Sequence, residues 1–481
     1  MLFKQARHDK SENTSSDVAQ FWGSMERLLE IEDEKDEAVV NSELVSYVKK
    51  ASDNYKEYLH TEQDIYRLAL ILTQSKLFQN NREFCLSKLL SLLSVDLLET
   101  NLKFIISYII LCASKSDSSL LEILLQFQGF TVIYNNLYNH FAYLSRYGEE
   151  RFLSNKVTEE QSDLTDIEFE IIEGLKQIST VLMGILFQIF KYSKCDIGNI
   201  GIVDDFFVYF LMKSIRSDTT DDIFNNTKFK LLLALNEQYM IFSYQYEVEN
   251  KVYKYLINNS VSKNFMELLL LMFNRVTDRS LQIMMCKIIY LILTSDEDLA
   301  RDFFYLNDLH VFVDVLLREL KDISEDEELI RNTFLRVLFP LLKNTELINS
   351  HYRRSDLVEV LEYLSSLDNI CSTEEIKREH KTTSRLALKC LNQVEWLQYS
   401  KPEGSDKESS EGSRRSSVSI GSIPSQRGYL DKRAQHLYMN NQSSLSAESI
   451  TKRLQAPPPP PARKAPSRVG SGQKVAQFKP N

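Results

Sequence analysis

Proline and glycine are almost absent from the first 400 of the 481 residues, and this absence constrains the fold more than any other feature of the sequence. Only Pro340 of the ten prolines and seven of the thirteen glycines lie in that part. Strand-and-turn architectures depend on these two residue types at their turns. The sequence therefore predicts an all-α body.

Apolar residues recur along this part at the helical spacing of three and four, as in Leu86, Leu89 and Leu93. The pattern predicts about fifteen helices. A single hydrophobic core stops growing near roughly 250–300 residues, so a longer all-helical body favours an open-ended stack. We predict an armadillo-like helical solenoid over residues 41–400. Its repeats are degenerate, because no strict period is visible.

The two ends of the chain differ from this body. Residues 1–40 are an acidic N-terminal extension, in which Phe21 and Trp22 lead into a short amphipathic segment that can dock on the body. Residues 401–481 hold nine prolines and fourteen Lys and Arg against six Asp and Glu. Such a composition cannot offset the entropy of ordering, which predicts a disordered, basic, Ser/Pro-rich tail.

Charge limits the possible partners of the body. The chain has a net charge of −10, and the basic tail leaves −18 for the first 400 residues. An acidic body repels the phosphate backbone, so no nucleic-acid partner is expected. No apolar run approaches the roughly 20 residues of a membrane span, so no transmembrane segment is expected.

The sequence contains none of the motifs in which catalytic or metal-binding residues usually occur. The six cysteines lie in or beside apolar helical runs without a CxxC pair, which predicts buried reduced thiols and an intracellular setting. No phosphate-binding glycine loop, nucleophile motif or paired-histidine metal motif is present. We expect no enzymatic activity, no cofactor and no metal site.

Local patterns predict where two helices begin and where one ends. Thr165 with Glu168, and Ser324 with Glu327, have the spacing of capping boxes. Pro340 lies late in an apolar helix, where it removes a backbone hydrogen bond and predicts a kink or an early stop.

The tail contains the strongest local motif, APPPPPARKAP at residues 456–466. Pro457, Pro458 and Pro461 with Arg463 and Lys464 fit a polyproline ligand of an SH3 domain, in which prolines fill apolar slots and the cation meets an acidic loop. The alternative is a merely stiff linker. Upstream, RRSSVS resembles a basophilic-kinase site, with Ser416, Ser417 and Ser419 as possible phosphorylation sites.

Two polar groups within the apolar helices are candidates for binding a partner. In LLLALNEQYM, Gln238 is interpreted as a buried residue that bonds to a neighbouring helix backbone, whereas Asn236 and Glu237 either do the same or face a groove that receives a partner helix. Farther along, Asn332, Arg336 and Lys343 lie opposite the apolar stripe of their helix, a solvated face by default. Phe339 lies near them and would be costly to expose without a partner.

The segments LLLALNEQYM, NRVTDRSLQIMMCKIIYLILT, FFYLNDLHVFVDVLLREL and DEELIRNTFLRVLFPLLKNT together resemble the leucine-rich, armadillo-like domain of the SPIN/WISH/DIP family. The resemblance implies binding and activation of the Arp2/3 complex without a pre-existing filament, which seeds linear actin filaments at cytoplasmic, cortical endocytic patches. Actin would be engaged indirectly, and SH3-domain endocytic adaptors would bind the tail. The alternative is a non-nucleating scaffold that links SH3 proteins to cortical actin.

Overall fold

The computed structural model describes residues 14–30, 36–147, 166–193, 195–218, 221–324, 326–370 and 380–398. These residues form 24 helices and no strand, which confirms the all-α prediction. Fifteen of the helices have nine or more residues, as the periodicity predicts, and the other nine are short connectors of four to seven residues. None of the helices in these segments is long and apolar enough to cross a bilayer.

The helices run in this order along the chain. The first nine are α1 Thr14–Arg27, α2 Glu37–Asp53, α3 Tyr55–Tyr58, α4 Glu62–Gln74, α5 Lys76–Asn80, α6 Arg82–Leu93, α7 Thr100–Ser116, α8 Leu120–Gln126 and α9 Gly129–Tyr147. The next eight are α10 Asp166–Tyr192, α11 Ile197–Ile202, α12 Asp205–Lys213, α13 Ile223–Gln245, α14 Lys251–Leu256, α15 Asn259–Arg275, α16 Arg279–Ser295 and α17 Glu297–Asp302. The last seven are α18 Leu306–Asp322, α19 Glu328–Asn344, α20 Leu347–Ser350, α21 Arg354–Ser365, α22 Leu367–Ile370, α23 Lys381–Gln393 and α24 Glu395–Gln398.

From α7 onward, the long helices other than α9 stack in two rows. In one row each helix packs on the next, in the order α7, α10, α13, α16, α19 and α23. A second row of α12, α15, α18 and α21 lies against it, with α12 packed on α13, α18 on α19 and α21 on α23. Each helix buries apolar faces against neighbours in its own row and in the other, which is how a helical solenoid grows beyond one core.

A repeat of about 50 residues becomes visible in the hydrogen bonds of the first row. Bonds between successive helices join Gln238 to Phe190, Lys287 to Glu237, Asn344 to Leu293 and Thr383 to Asn332, at separations of 48, 50, 51 and 51 residues. Different residue types make these bonds, so the period does not show as sequence similarity.

The N-terminal helix α1 docks on the body, as its aromatic residues predict. Phe21, Trp22 and Met25 are buried. The Phe21 ring stacks on Tyr58 at 4.5 Å between centroids, and the Arg67 guanidinium lies 4.4 Å from the centroid of Trp22. Aromatic and cation–π contacts of this kind fix the helix to α3 and α4.

The predicted helix boundaries are only partly correct. Thr165 lies outside the described residues. Ser324 does not cap α19, because its hydroxyl donates to Asp326 and Glu327 while the helix begins at Glu328. An early stop at Pro340 is also wrong, since α19 continues to Asn344. The seven helix starts from α11 to α17 are instead capped by Asp or Asn side chains, as at Asp278.

Candidate partner-binding site

The polar break in the apolar helix α13 is an interior polar cluster, which we define as Asn236, Glu237 and Gln238 with the residues they bond. The three side chains are consecutive, so the helical turn of about 100° per residue points them in three directions. Each side chain meets a different neighbouring element.

Asn236 is fully buried and bonds within the domain. Its side-chain oxygen accepts a hydrogen bond from Asn250 Nδ2 at 2.9 Å, and its amide nitrogen lies 3.4 Å from Met240 Sδ. Asn250 in turn caps the start of α14 through its own side chain. The hypothesis that Asn236 faces an open groove is therefore corrected, because its side-chain amide is buried and bonds within the domain.

Glu237 forms an ion pair with Lys287 of the next helix in the row, α16. The Lys287 side chain is only 1% exposed and the Glu237 side chain 19%. A buried ammonium is costly unless a carboxylate accompanies it, so this pair holds α13 and α16 in one register. Lys287 is the only charged residue in the apolar run from Ile283 to Leu293, a signal that sequence reasoning missed.

Gln238 completes the cluster by contacting α10, the other neighbour of α13 in the row. Its amide nitrogen donates to the carbonyl oxygen of Phe190 at 2.7 Å, near the end of α10. Gln238 is buried, so the interpretation as a bond to a neighbouring helix backbone is confirmed. The bond satisfies one of the carbonyls that the last turn of a helix leaves without an intrahelical partner.

The second candidate group lies on α19 and is placed differently. Lys343 is exposed, Arg336 and Phe339 are half-buried, and Asn332 is buried, where it accepts a hydrogen bond from Thr383. Asn332 thus does not share the solvated face that its spacing predicts. Arg336 lies close enough to Tyr290 to oppose the rise that burial causes in the pKa of that phenol.

Phe339 is held between two cations. The Lys389 ammonium on α23 lies 4.1 Å from the centroid of its ring, and the Lys343 ammonium lies 5.8 Å from it. The ring also packs against the core, so it is not the exposed aromatic that the sequence suggests. Lys389 is a member of this group that sequence reasoning missed, because it lies 50 residues beyond Phe339.

The end of the body is fastened beside this group. The Trp396 indole donates to the carbonyl oxygen of Leu342 at 2.9 Å, next to Lys343. Arg354 donates to the carbonyls of Trp396 and Leu397 at 2.9 and 2.7 Å. Helix α24, the last helix among the described residues, therefore lies close to the end of α19.

The remaining predicted site residues lie outside the described residues. These are Pro457, Pro458, Pro461, Arg463 and Lys464 of the SH3-ligand motif, and Ser416, Ser417 and Ser419 of the RRSSVS segment. Their roles stay predictions. The structure brings together Arg336, Phe339 and Lys343, and it separates them from Asn236 and Glu237, which serve the interior of the stack.

Comparison with known proteins adds a family to this geometry. The family model described as SPIN90/Ldb17, leucine-rich domain, matches residues 221–357, a span that includes the interior polar cluster except Phe190, and the α19 group but not Lys389. Protein LDB17 of Saccharomyces cerevisiae is 55% identical over 459 residues, which cover 92% of this chain and 93% of that protein. Protein LDB17 of Eremothecium gossypii is 55% identical over 393 residues, covering 82% and 85%. Protein dip1 of Schizosaccharomyces pombe is 24% identical over 247 residues, covering 47% and 64%.

Proposed function

Since the chain belongs to the SPIN90/Ldb17 family, we propose that it is an actin-cytoskeleton regulator that binds and activates the Arp2/3 complex without a pre-existing filament. It thereby seeds linear actin filaments at cortical endocytic patches in the cytoplasm, and it meets actin only through the complex. Family membership over nearly the whole chain is the observation that carries this proposal.

The mechanism we propose is binding rather than catalysis. A body whose successive helices are tied by buried bonds, such as Glu237 with Lys287 and Gln238 with Phe190, offers a fixed shape to a larger assembly. If that shape fits the active arrangement of the complex better than the inactive one, binding shifts the population toward activity by the difference in affinity. Arg336, Phe339 and Lys343 are the residues we assign to the contact.

The tail supplies recruitment in this proposal. Trp396, close to the last described residue before the tail, is bonded beside the end of α19, and about 60 residues separate Gln398 from Pro457. A flexible chain of that length has a root-mean-square reach of roughly 40 Å. An SH3 adaptor bound to the proline motif therefore keeps the body concentrated near its target, an avidity effect that needs no new contact on the body.

Assembly of pyrene-labelled actin tests the nucleation role. The full chain with purified Arp2/3 complex and no other activator is expected to shorten the lag, and the full chain without the complex is not. An unchanged lag in the first reaction would remove the nucleating role. The non-nucleating scaffold that links SH3 proteins to cortical actin, which the proline motif favours, would then remain.

Binding of a peptide of residues 456–468 to a panel of SH3 domains tests recruitment separately. The Arg463→Glu peptide reverses the charge that meets the acidic SH3 loop, so we expect it to bind at least about tenfold more weakly. Equal binding of the two peptides would leave the segment as a stiff linker.

Phosphorylation of the tail is a separate question. Phosphate at Ser416, Ser417 or Ser419 would cancel positive charge of the tail, and mass spectrometry of the purified chain would detect it.

A further inference from the structure

Helix α23 carries a row of cations along one side. Lys381, Arg385 and Lys389 follow each other at intervals of four residues, which places them on one face of a helix. Thr383, Ala387 and Cys390 form its buried side. No Asp or Glu lies between Lys381 and Gln393, so nothing within the helix neutralises the row.

None of these three cations lies within ion-pair distance of a described carboxylate. They also share one face of a helix that contains no acidic residue. The first 400 residues have a net charge of −18. Three positive charges on one helix face, none of them ion-paired within the described residues, favour an anionic partner on an otherwise acidic body.

Phe339 joins this row to α19. Lys389 and Lys343 approach the same ring, at 4.1 and 5.8 Å from its centroid, so the cations of the two helices form one continuous surface. Leu388, which is 43% exposed, adds an apolar contact beside Lys389. We call Lys343, Lys381, Arg385 and Lys389, with Phe339 and Leu388, the basic face.

We infer that the basic face binds an acidic segment of a protein partner, and that the Arp2/3 complex carries this segment, so the inference rests on the proposed function. Complementary charge is what a positive surface with small apolar patches selects. An anionic membrane fits less well. The acidic body is repelled by such a surface, and Phe339 is half-buried and leaves no aromatic side chain to insert between lipids.

The test compares two charge-matched variants of the full chain. The basic-face variant is Lys381→Gln/Arg385→Gln/Lys389→Gln. The control variant is Lys49→Gln/Lys76→Gln/Lys115→Gln, which removes three exposed lysines from other helices. Affinity for purified Arp2/3 complex is measured by fluorescence anisotropy at low salt and near 0.15 M salt. Circular dichroism checks that both variants keep wild-type helicity.

We expect the basic-face variant to bind the complex at least about tenfold more weakly than wild type and with a shallower dependence on salt, because it loses charge complementarity. The single change Arg385→Gln, at the exposed centre of the row, is a milder variant and is expected to lie in between. The control variant is expected to stay within about twofold of wild type. Equal affinities of the two triple variants would overturn the inference and leave the proposed function intact.

A wild-type chain that does not bind the complex at all would overturn both. Sedimentation with phosphatidylserine-containing vesicles tests whether the basic face binds an anionic membrane instead of an acidic protein segment. Vesicle binding by wild type that the basic-face variant loses, with binding to the complex unchanged, would assign the face to a membrane and overturn the inference. Absence of vesicle binding, together with weakened binding to the complex, supports it.

Discussion

The interior polar cluster and the basic face both lie on helices of the same row, yet they use their charges in opposite ways. Glu237 has its counter-charge within the domain, in Lys287 of the next helix. Lys343 and Lys389 share only the ring of Phe339, and no carboxylate of the described residues pairs with them. The charges of the interior polar cluster pair with each other inside the fold, whereas those of the basic face remain available to bind a partner.

This difference follows from position in the stack. α13 lies between α10 and α16 in its row, so polar side chains that point along the row must find partners in the neighbouring helices or remain unsatisfied. α19 and α23 lie near the end of the row, where no further helix of the described residues continues it. In the middle of a row, the polar residues of a solenoid helix therefore bond to the neighbouring helices. Near the end of a row, such residues are left to bind a partner protein.

The largest expected effect is on the interior side of the comparison. Glu237→Gln removes the charge of the carboxylate and leaves the Lys287 ammonium buried without its counter-charge. We expect a loss of roughly 3–5 kcal/mol in the free energy of unfolding, the usual consequence of breaking a buried ion pair. Urea denaturation followed by circular dichroism measures it.

The double variant Glu237→Leu/Lys287→Met is the control, because it removes both charges and replaces them with apolar side chains. It should recover most of the lost stability. A Glu237→Gln protein as stable as wild type would contradict the interior role and would return Glu237 to the candidates for partner binding.

Lys228 is a second buried lysine and can be compared with Lys287. Unlike Lys287, it has no ion-pair carboxylate among the described residues. Its ammonium lies 2.5 Å from the Ser214 carbonyl oxygen and 3.1 Å from the Ser214 hydroxyl oxygen, and 4.8 Å from the centroid of Phe224. Burial lowers the pKa of Lys228 from 10.5 to about 7, an effect that Asp222 partly opposes.

The sign of the pH effect follows from this depressed pKa. Between pH 7 and about 10 the unfolded chain keeps the Lys228 proton and the folded chain loses it, so stability contributed by this residue rises with pH. Wild type minus Lys228→Met should show a rise of up to about 1.4 kcal/mol per pH unit, the limit for one proton. Urea denaturation of both proteins at about pH 7, 8 and 9 measures the slope. A difference that is flat with pH would show that Lys228 stays charged in the fold.

Periodicity and composition predict the fold well because they report on burial. Fifteen long helices, the absence of strands in the described segments and the docking of Phe21 and Trp22 all depend on apolar spacing, which is local in sequence. Gln238 is correctly interpreted for the same reason, since it lies on the buried stripe of its own helix with Leu231 and Leu235.

Partnerships across the row could not be predicted, because they join residues about 50 positions apart. Glu237 and Lys287 are both visible in the sequence, but nothing local to either indicates the other. Lys389 was missed as a neighbour of Phe339 for the same reason.

The helix starts were missed for a different reason. The capping-box pattern requires Ser or Thr, whereas Asp278 and its counterparts cap with a carboxylate or an amide.

A smaller effect is expected on the exposed side of the comparison. Arg336→Glu with Lys343→Glu reverses two charges at the α19 contact, so affinity for the Arp2/3 complex should fall about tenfold, which corresponds to about 1.4 kcal/mol. Helicity and melting temperature should stay at wild-type values, because neither charge is fully buried. Anisotropy titration and thermal melting measure the two quantities. Unchanged affinity would show that the contact lies on another face.

The smallest effect tests whether the interior polar cluster ends at Gln238. Tyr239, the next residue, is fully buried, and its hydroxyl has no hydrogen-bond partner within the described residues. Tyr239→Phe removes a desolvated polar group and keeps the ring, so we expect stability to rise by up to about 1 kcal/mol. Tyr47→Phe is the matched control, because that equally buried hydroxyl donates to the Leu68 carbonyl at 2.8 Å, and its removal should cost about 1 kcal/mol. Urea denaturation of both variants gives the two signs. If Tyr239→Phe is destabilising like Tyr47→Phe, the Tyr239 hydroxyl is satisfied in solution, and the cluster continues one residue farther along α13 than the geometry assigns.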